Sequence, residues 1–458
     1  MPFAFTRPPG SSSRRATLAV ITAVVVLLGG AAGARPTSVL AADPTPPASS
    51  ATTAATPVGS TVTIYGRGYG HGVGMSQYGA RGRALVGATA RWILAHYYRD
   101  ATLGTIALDT PIRVRVLSGF EASATNPLVL YGRRSTWRFD GSDTVYPEDA
   151  RIEVRPTVTT TPSGTTVTWR VKVIGPDGTL LRDASAGTFR LRGATVSTVF
   201  QVASEDSRYD TYRGVLRIGL KTSEPLASAT NELRLERYLR GVVPAEMPAS
   251  WPVEALKAQA IAARSYAARR LRPGESYYDI TDDSSTQVYL GVLGEKPATT
   301  AAVDVTPGIV LKSGSSIANT LFHSAGGGAT EHNENVFVSA TGEKVAGPVS
   351  YLRGSPDRRP NGSAYDDGSP YTTWKTLTYT RAQLSTWFGR DSVTKVGSIT
   401  AFDLSDRGVS GRLISVKLIG SLGTKTVSGN VFRAVFNANR PSGDPSMRST
   451  LFALKPVP

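Results

Sequence analysis

Between residues 255 and 268, alanine stands at 255, 258, 260, 262, 263, 267 and 268, interrupted by Leu256, Ile261 and Tyr266. Alanine is the strongest helix former, and its methyl side chain leaves the backbone open to close approach. The pattern predicts a slender helix over 250–272 that other elements must pack around. Ser250 is placed to cap it, Pro252 falls in the first turn where its missing N–H costs nothing, Glu254 faces the positive end of the dipole, and Pro273-Gly274 stops it. A second short helix is expected over 233–240. Elsewhere the chain alternates in strand fashion: Ile112, Val114, Val116; then Val167, Trp169, Val171, Val173 ahead of the turn Gly175-Pro176-Asp177-Gly178; then 215–220; then Leu413, Ser415, Lys417 against Ile414, Val416, Leu418. The expected fold is α+β, a β-rich mixed core with a central Ala-rich helix and an additional antiparallel β domain.

A length of 458 residues suits two or three domains, and the absence of cysteine excludes a disulfide framework, a thiolate nucleophile and Cys-ligated zinc or iron–sulfur sites. His71, His96, His323 and His332 are the only histidines, so an all-His metal site has few candidates. Arg14 and Arg15 precede an apolar run from Ala16 to Leu28 and then small residues to Ala34, which reads as a secretory signal over 1–41. The run is short of the roughly 20 residues of a membrane span, so a membrane is a partner only if this segment stays uncleaved. Residues 42–60, rich in Pro, Ala, Thr and Ser, are expected to be a disordered linker, with folded structure starting near Thr61. The remaining segments are 61–104, Gly-rich and then helical from about 80 to 98; 105–205, β-rich; 206–340, with the strongest local signals; and 341–458, again alternating. The formal charge is +16, and only four arginines and no acid lie in the first 42 residues, so the excess belongs mostly to the part beyond the signal. Such a balance attracts polyanions. Export removes nucleic acid as the usual partner and leaves anionic wall polymers.

Few residues are candidates for chemistry. Glu246 sits in Val242-Val243-Pro244-Ala245-Glu246-Met247-Pro248. An acid in apolar surroundings holds its proton to higher pH, as a general acid must. A structural glutamate paired with an arginine at a loop is the other reading of the same residues. Lys257, Gln259 and Arg264 are polar positions among the alanines; Lys257 and Arg264, seven apart, share a face, whereas Gln259 lies about 200° around from Lys257. A cleft lining and a solvated face both explain such charges. In Gly66-Arg67-Gly68-Tyr69-Gly70-His71-Gly72-Val73-Gly74-Met75-Ser76-Gln77-Tyr78-Gly79-Ala80, glycine at every second position leaves one side of an extended chain bare, for a ligand or for tight packing, with His71 and Gln77 offering hydrogen bonds there. Phe322-His323-Ser324-Ala325-Gly326-Gly327-Gly328-Ala329-Thr330-Glu331-His332 lacks both the nucleophile-elbow pattern and a zinc spacing, so polar residues beside a glycine turn account for it.

Tyr238 to Pro248, the helix Glu254 to Ala267 and Gln287-Val288-Tyr289-Leu290-Gly291 together closely resemble the SpoIID/LytB family. His323 to Thr330 and Gly66 to Ala80 resemble further family segments. The resemblance implies a secreted lytic transglycosylase of peptidoglycan in which Glu246 is the catalytic acid. It implies that the chain acts on glycan strands, and no cofactor is expected. Lys257, Gln259, Arg264, His71, Gln77, Gln287, Tyr289, His323 and Ser324 are the expected substrate-binding residues. Other relatives are amidase enhancers, so a non-catalytic wall-binding protein with a cell-wall amidase as partner is the alternative. This sequence departs from the family pattern in two places. Asp282-Asp283-Ser284-Ser285-Thr286 stands where some members carry zinc ligands, so zinc is not expected. The Gly-rich segment, which normally ends the family domain, comes first here, and the permuted order implies that the strand 61–65 packs beside 449–453.

Overall fold

The computed structural model describes residues 55–274 and 277–456, so the signal-like run over 1–41 and most of the expected linker lie outside the described residues. The chain divides into two compact units interleaved in sequence, one made of Gly72–Glu331 and Val349–Ser369, the other of the described residues up to His71, His332–Pro348 and the residues from Pro370 onward. Both are α+β.

In the first unit two sheets supply most of the strands. One runs in the order Leu180–Ser185, Gly164–Ile174, Arg151–Thr161, Leu128–Arg133, Val199–Val202, Thr211–Arg213, all antiparallel. The other runs Ile280–Thr281, Pro111–Glu121, Leu226–Arg234, Val215–Leu220, Phe189–Gly193, Trp137–Phe139, Val145–Tyr146, and only the Ile280 strand is parallel to its neighbour. Val167, Trp169, Val171 and Val173 are buried while Thr168 and Arg170 are exposed, the alternation of a half-buried strand. The β-rich segment does not end at 205. Strands 215–220 and 226–234 sit in the middle of the second sheet, and one buried cluster runs from Ile112 and Val171 through Leu216 to Ala260, Ala263 and Ala267 of the alanine helix.

The second unit begins earlier than Thr61. Thr56–Pro57 pairs with Ala401 and Phe402 at the edge of a four-stranded sheet, and Val58 behind it is buried, so the last residues of the expected linker are part of the fold. Thr61–Val62 pairs with Tyr379–Thr380, whereas Tyr65–Gly66 lies between Trp374–Lys375 and Phe452–Ala453. The neighbour expected for 61–65 is therefore met at its Tyr65 end, where Tyr65 faces Ala453 and Gly66 faces Phe452. Helices Arg381–Phe388, with its Thr380/Gln383 capping box, and Gly429–Asn439 close an aromatic core of Tyr379, Trp387, Phe388, Phe402, Phe432 and Phe436.

Five helices of the first unit pack against one another: α1 (Gln77–Leu85), α2 (Ala90–Tyr97), α3 (Leu235–Glu246), α4 (Val253–Ala268) and α5 (Pro297–Asp304). The one helix expected over 80–98 is two, each capped by its own hydroxyl, Ser76 and Thr89, with Gly87 at φ +90° in the turn between them. The alanine helix is shorter than 250–272: extended Pro252 takes the cap position in place of Ser250, and thirteen of its sixteen residues are buried. Its one buried cation is Arg264, whose Nε and Nη2 each donate at 2.8 Å to Glu236 in the first turn of α3, while Nη1 donates at 3.1 Å to the Ile309 carbonyl. Glu236 also accepts the Gly308 N–H. This pair ties three elements together, and removing one partner strands the other charge. Glu236→Ala is expected to destabilise the protein by roughly 3 kcal/mol and Glu236→Gln by less, read by urea unfolding followed at the far-UV helix signal.

Candidate active site

Leu235, Tyr238, Leu239, Val242 and Val243 are buried at the spacing of one helix face, and they set α3 against the core. Pro248 forces Met247 into an extended conformation (φ −130°, ψ 135°), which ends the helix there. Glu246 is thus the last residue of a helix and not a loop residue. Helical geometry fixes the direction of its side chain, and the negative end of the helix dipole opposes its charge.

Burial of the carboxyl pushes its pKa up to about 7, and two donors work against the rise: the Gln77 side chain, Nε2 at 3.3 Å from Oε2, and the Val288 backbone N–H. The residue remains partly open to solvent. Desolvation outweighs two donors, so Glu246 is poised to exchange a proton near neutral pH. Burial also pushes the Tyr238 and Tyr266 hydroxyls up, with the Glu246 charge adding to the rise, so both keep their protons beside it. The Arg270 guanidinium lies 3.3 Å from the centroid of the Tyr266 ring and donates to Asn319.

Gln77 is positioned by contacts far apart in sequence. It is the first residue of α1, whose cap Ser76 accepts from the Gly79 and Gly326 N–H groups. The strand Met75–Ser76 runs parallel to Phe322–His323, and the Tyr78 N–H donates to the Ser324 carbonyl. Two of the segments singled out in the sequence therefore meet, and the 322–326 stretch cradles the start of α1. The alternate glycines do not leave a bare extended edge, because Gly68, Gly70, Gly72 and Gly74 all adopt positive φ, from 69° to 103°. At Gly74 a Cβ would come within 2.0 Å of the Leu321 carbonyl oxygen, so close packing of backbone accounts for that glycine. Further along, α1 is clamped by Asp357. Arg83 donates to its Oδ1 at 3.0 and 2.7 Å, Tyr97 donates to its Oδ2 at 2.5 Å, and Gly79 leaves room for the Tyr97 hydroxyl and the Asp357 carboxylate. His96 stands 2.8 Å from Arg83, and burial reinforced by that cation pushes its pKa down to about 4. Nothing in the local sequence marks Asp357. The only sign of close packing there was the Gly79 and Gly82 pair on one face of a helix, and Gly82 lies under the Tyr365 carbonyl.

The remaining expected site residues separate clearly. Arg264 does not line the carboxylate: it is held at the opposite end of α3 by Glu236, ten residues or about 15 Å along the helix from Glu246. Lys257 is paired at 2.8 Å with Glu254, whose other oxygen accepts the N–H of Ala90 at the start of α2. Tyr289 is a core residue, buried against Gly241 with its hydroxyl donated to Asn231. Gln287 is equally buried, accepting from Tyr238 and donating to the Ala263 carbonyl, so this segment offers Glu246 the Val288 backbone and not side chains. His323 is buried with Nδ1 at 3.1 Å from the Val73 carbonyl, and Ser324 is half-buried beside it. His71 is described with the second unit, where its ring centroid stands 6.2 Å from that of Phe337. Gln259, the position with the least promising helical phase, is fully buried with neither amide atom hydrogen-bonded, on the same stripe of α4 as Tyr266. Asp283 accepts from Thr281 and from the Ser285 N–H in a tight turn, and among the described residues no three His, Asp or Glu side chains converge to hold a metal ion.

Residues 224–312, which contain α3, α4 and α5, match the SpoIID family, described as stage II sporulation protein. The amidase enhancer of Bacillus subtilis is 31% identical over 183 residues, covering 38% of this chain and 25% of that protein. Stage II sporulation protein D of the same organism is 30% identical over 189 residues, 38% of this chain and 51% of that protein. An uncharacterized protein of Brachyspira hyodysenteriae is 38% identical over 109 residues, 23% of this chain and 30% of that protein. The matched parts thus span about a quarter to a half of these relatives' own lengths. No solved structure matches the chain. Glu246 and the alanine helix both lie inside the span that matches the SpoIID family.

Proposed function

We propose that this protein is an exported cell-wall enzyme, a lytic transglycosylase that cleaves peptidoglycan between N-acetylmuramic acid and N-acetylglucosamine. The observation that carries the reading is Glu246 itself, a carboxyl raised to about 7 by burial yet held by two directed donors. In this mechanism the Glu246 proton passes to the glycosidic oxygen as the C1–O bond breaks. The muramyl C6 hydroxyl then attacks C1 and gives its proton back to the Glu246 carboxylate. The products are a 1,6-anhydro end and a free N-acetylglucosamine hydroxyl, no water is consumed, and the acid is regenerated. One carboxylate suffices because the nucleophile belongs to the substrate, whereas hydrolytic glycosidases need two. Glu254 is already engaged by Lys257 and Ala90. Export rests on the signal-like run, and recruitment of a cell-wall amidase is the second reading, favoured by the name of the Bacillus subtilis amidase enhancer.

Glu246→Gln keeps the shape and loses the proton. It is expected to abolish anhydro-ended muropeptides from purified wall, read by mass spectrometry, while circular dichroism stays that of the parent; anhydro release at the parental rate refutes the assignment, and its absence from the parent favours the enhancer reading. The same variant has a stability signature. Because the folded pKa lies above the ordinary 4.5, the folded parent binds the extra proton and loses stability as pH rises from about 4.5 to about 7. Glu246→Gln is expected to gain stability relative to the parent across that window and to hold the gain above it, measured by urea unfolding at pH 4 and pH 8.

Activity that needs the protonated acid falls as pH rises through about 7. Gln77→Leu removes a donor that favours the carboxylate, so the alkaline limb of the pH–rate profile is expected to move to higher pH. A limb that stays in place or moves down contradicts the contact.

A further inference from the structure

The second unit carries a cleft that owes nothing to Glu246. Tyr65, Gly66, Thr373, Trp374, Lys375 and Pro456 line a cavity of about 490 Å³. Its floor is set by strand register: Trp374 faces Gly66, and Lys375 faces Tyr65. Gly66 is bare because the Trp374 ring lies over it, and a Cβ there would come within 2.2 Å of the ring. The indole N–H donates to the Gly68 carbonyl at 2.9 Å. The ring is thereby fixed in place with its polar atom satisfied, and it stays half-exposed at the wall of the cleft beside the half-exposed Tyr65 ring and the exposed Lys375. Just beyond these strands the Gly68 N–H donates to the Tyr371 carbonyl, Tyr69 and Tyr371 stack edge to face at 4.7 Å, and the Arg448 guanidinium stands 5.4 Å from the Tyr69 centroid and 5.2 Å from that of Tyr371.

Held aromatic faces with cations at their rim fit a ligand whose rings present flat C–H faces and whose substituents carry carboxylates. The ordering cost of such a platform has already been met in the fold, so contact area converts efficiently into affinity. We infer that the cleft of Tyr65, Trp374 and Lys375, together with the neighbouring cluster of Tyr69, Tyr371 and Arg448 on the adjoining chain segments, is a non-catalytic binding site for anionic amino-sugar strands of the wall. The assignment takes its polymer class from the function proposed above, and the excess of 51 basic over 35 acidic side chains matches the sign of that polymer. The aromatic faces hold the sugar rings, and Lys375 and Arg448 take the stem-peptide carboxylates, or the lactyl carboxylate where the peptide has been removed.

The test is sedimentation of the full chain carrying Glu246→Gln with purified insoluble peptidoglycan, with single-stranded DNA as the competing polyanion. Adding Trp374→Ala is expected to weaken wall binding about tenfold. Lys375→Glu, at an exposed position that leaves the packing alone, is expected to weaken it about fivefold at low salt and less at high salt. Unchanged wall binding in Lys375→Glu, or in Trp374→Ala with an unchanged melting temperature, overturns the site, and if Trp374→Ala melts early, Lys375→Glu decides alone. DNA bound as tightly as wall and lost in parallel makes the cleft a general polyanion site and overturns the glycan assignment. A chain that binds no wall removes the site's ligand, whereas wall held equally by parent and variants removes this site and leaves the role of Glu246 standing.

Discussion

Close packing around an alanine helix is the constraint on which the first unit depends. Because α4 presents methyl groups and little else, the inner sheet face meets it at Ala260, Ala263 and Ala267, and the large side chains of the core come from its neighbours. A slender helix also leaves little room for error. Its one buried cation, Arg264, had to be matched from α3 by Glu236 and from the strand at Ile309, and that match sets the position of α3. The far end of α3 then carries Glu246. The ion pair and the acid are thus two ends of one rigid rod, one holding it and the other exposed to chemistry.

The electrostatics of Glu246 follow from that arrangement. A carboxyl at the C-terminal end of a helix, in apolar surroundings, keeps its proton unless donors reach it. Gln77 and the Val288 N–H reach it, but they do not overcome burial. Their value is directional: they orient the carboxyl group, as the acid-then-base role proposed for it requires.

Much of this was legible in the sequence, for physical reasons that differ by residue. Period-2 alternation found the strands at 112–116 and 167–173, alanine content found α4, and two prolines around an isolated carboxylate pointed to Glu246. Helix phase misjudged the polar residues of α4. It treated Arg264 and Lys257 as a pair because they share a face, but the buried guanidinium met a partly exposed carboxylate on the neighbouring helix, while Lys257 reached Glu254 one turn away. Gln287 and Tyr289 were placed in the site by their motif, yet the motif serves the site through the backbone of the residue between them. The clamp on α1 left almost no local trace, because its partners lie 274 residues apart for Arg83 and 260 for Tyr97.

Those separations bear on the order of events in synthesis. A chain emerging from its N-terminus has made Gln77 and Arg83 early and Glu246 midway, but Asp357 comes only after three-quarters of the sequence. Loop closure over such a distance is slow, and the far turn of the helix that carries Gln77 is clamped at Arg83 only when that late carboxylate arrives. A nascent or C-terminally broken chain therefore has the acid and Gln77 without the clamp on the helix that carries Gln77. For a protein whose proposed substrate is the wall that encloses the cell making it, late assembly is a form of restraint built from contact order alone.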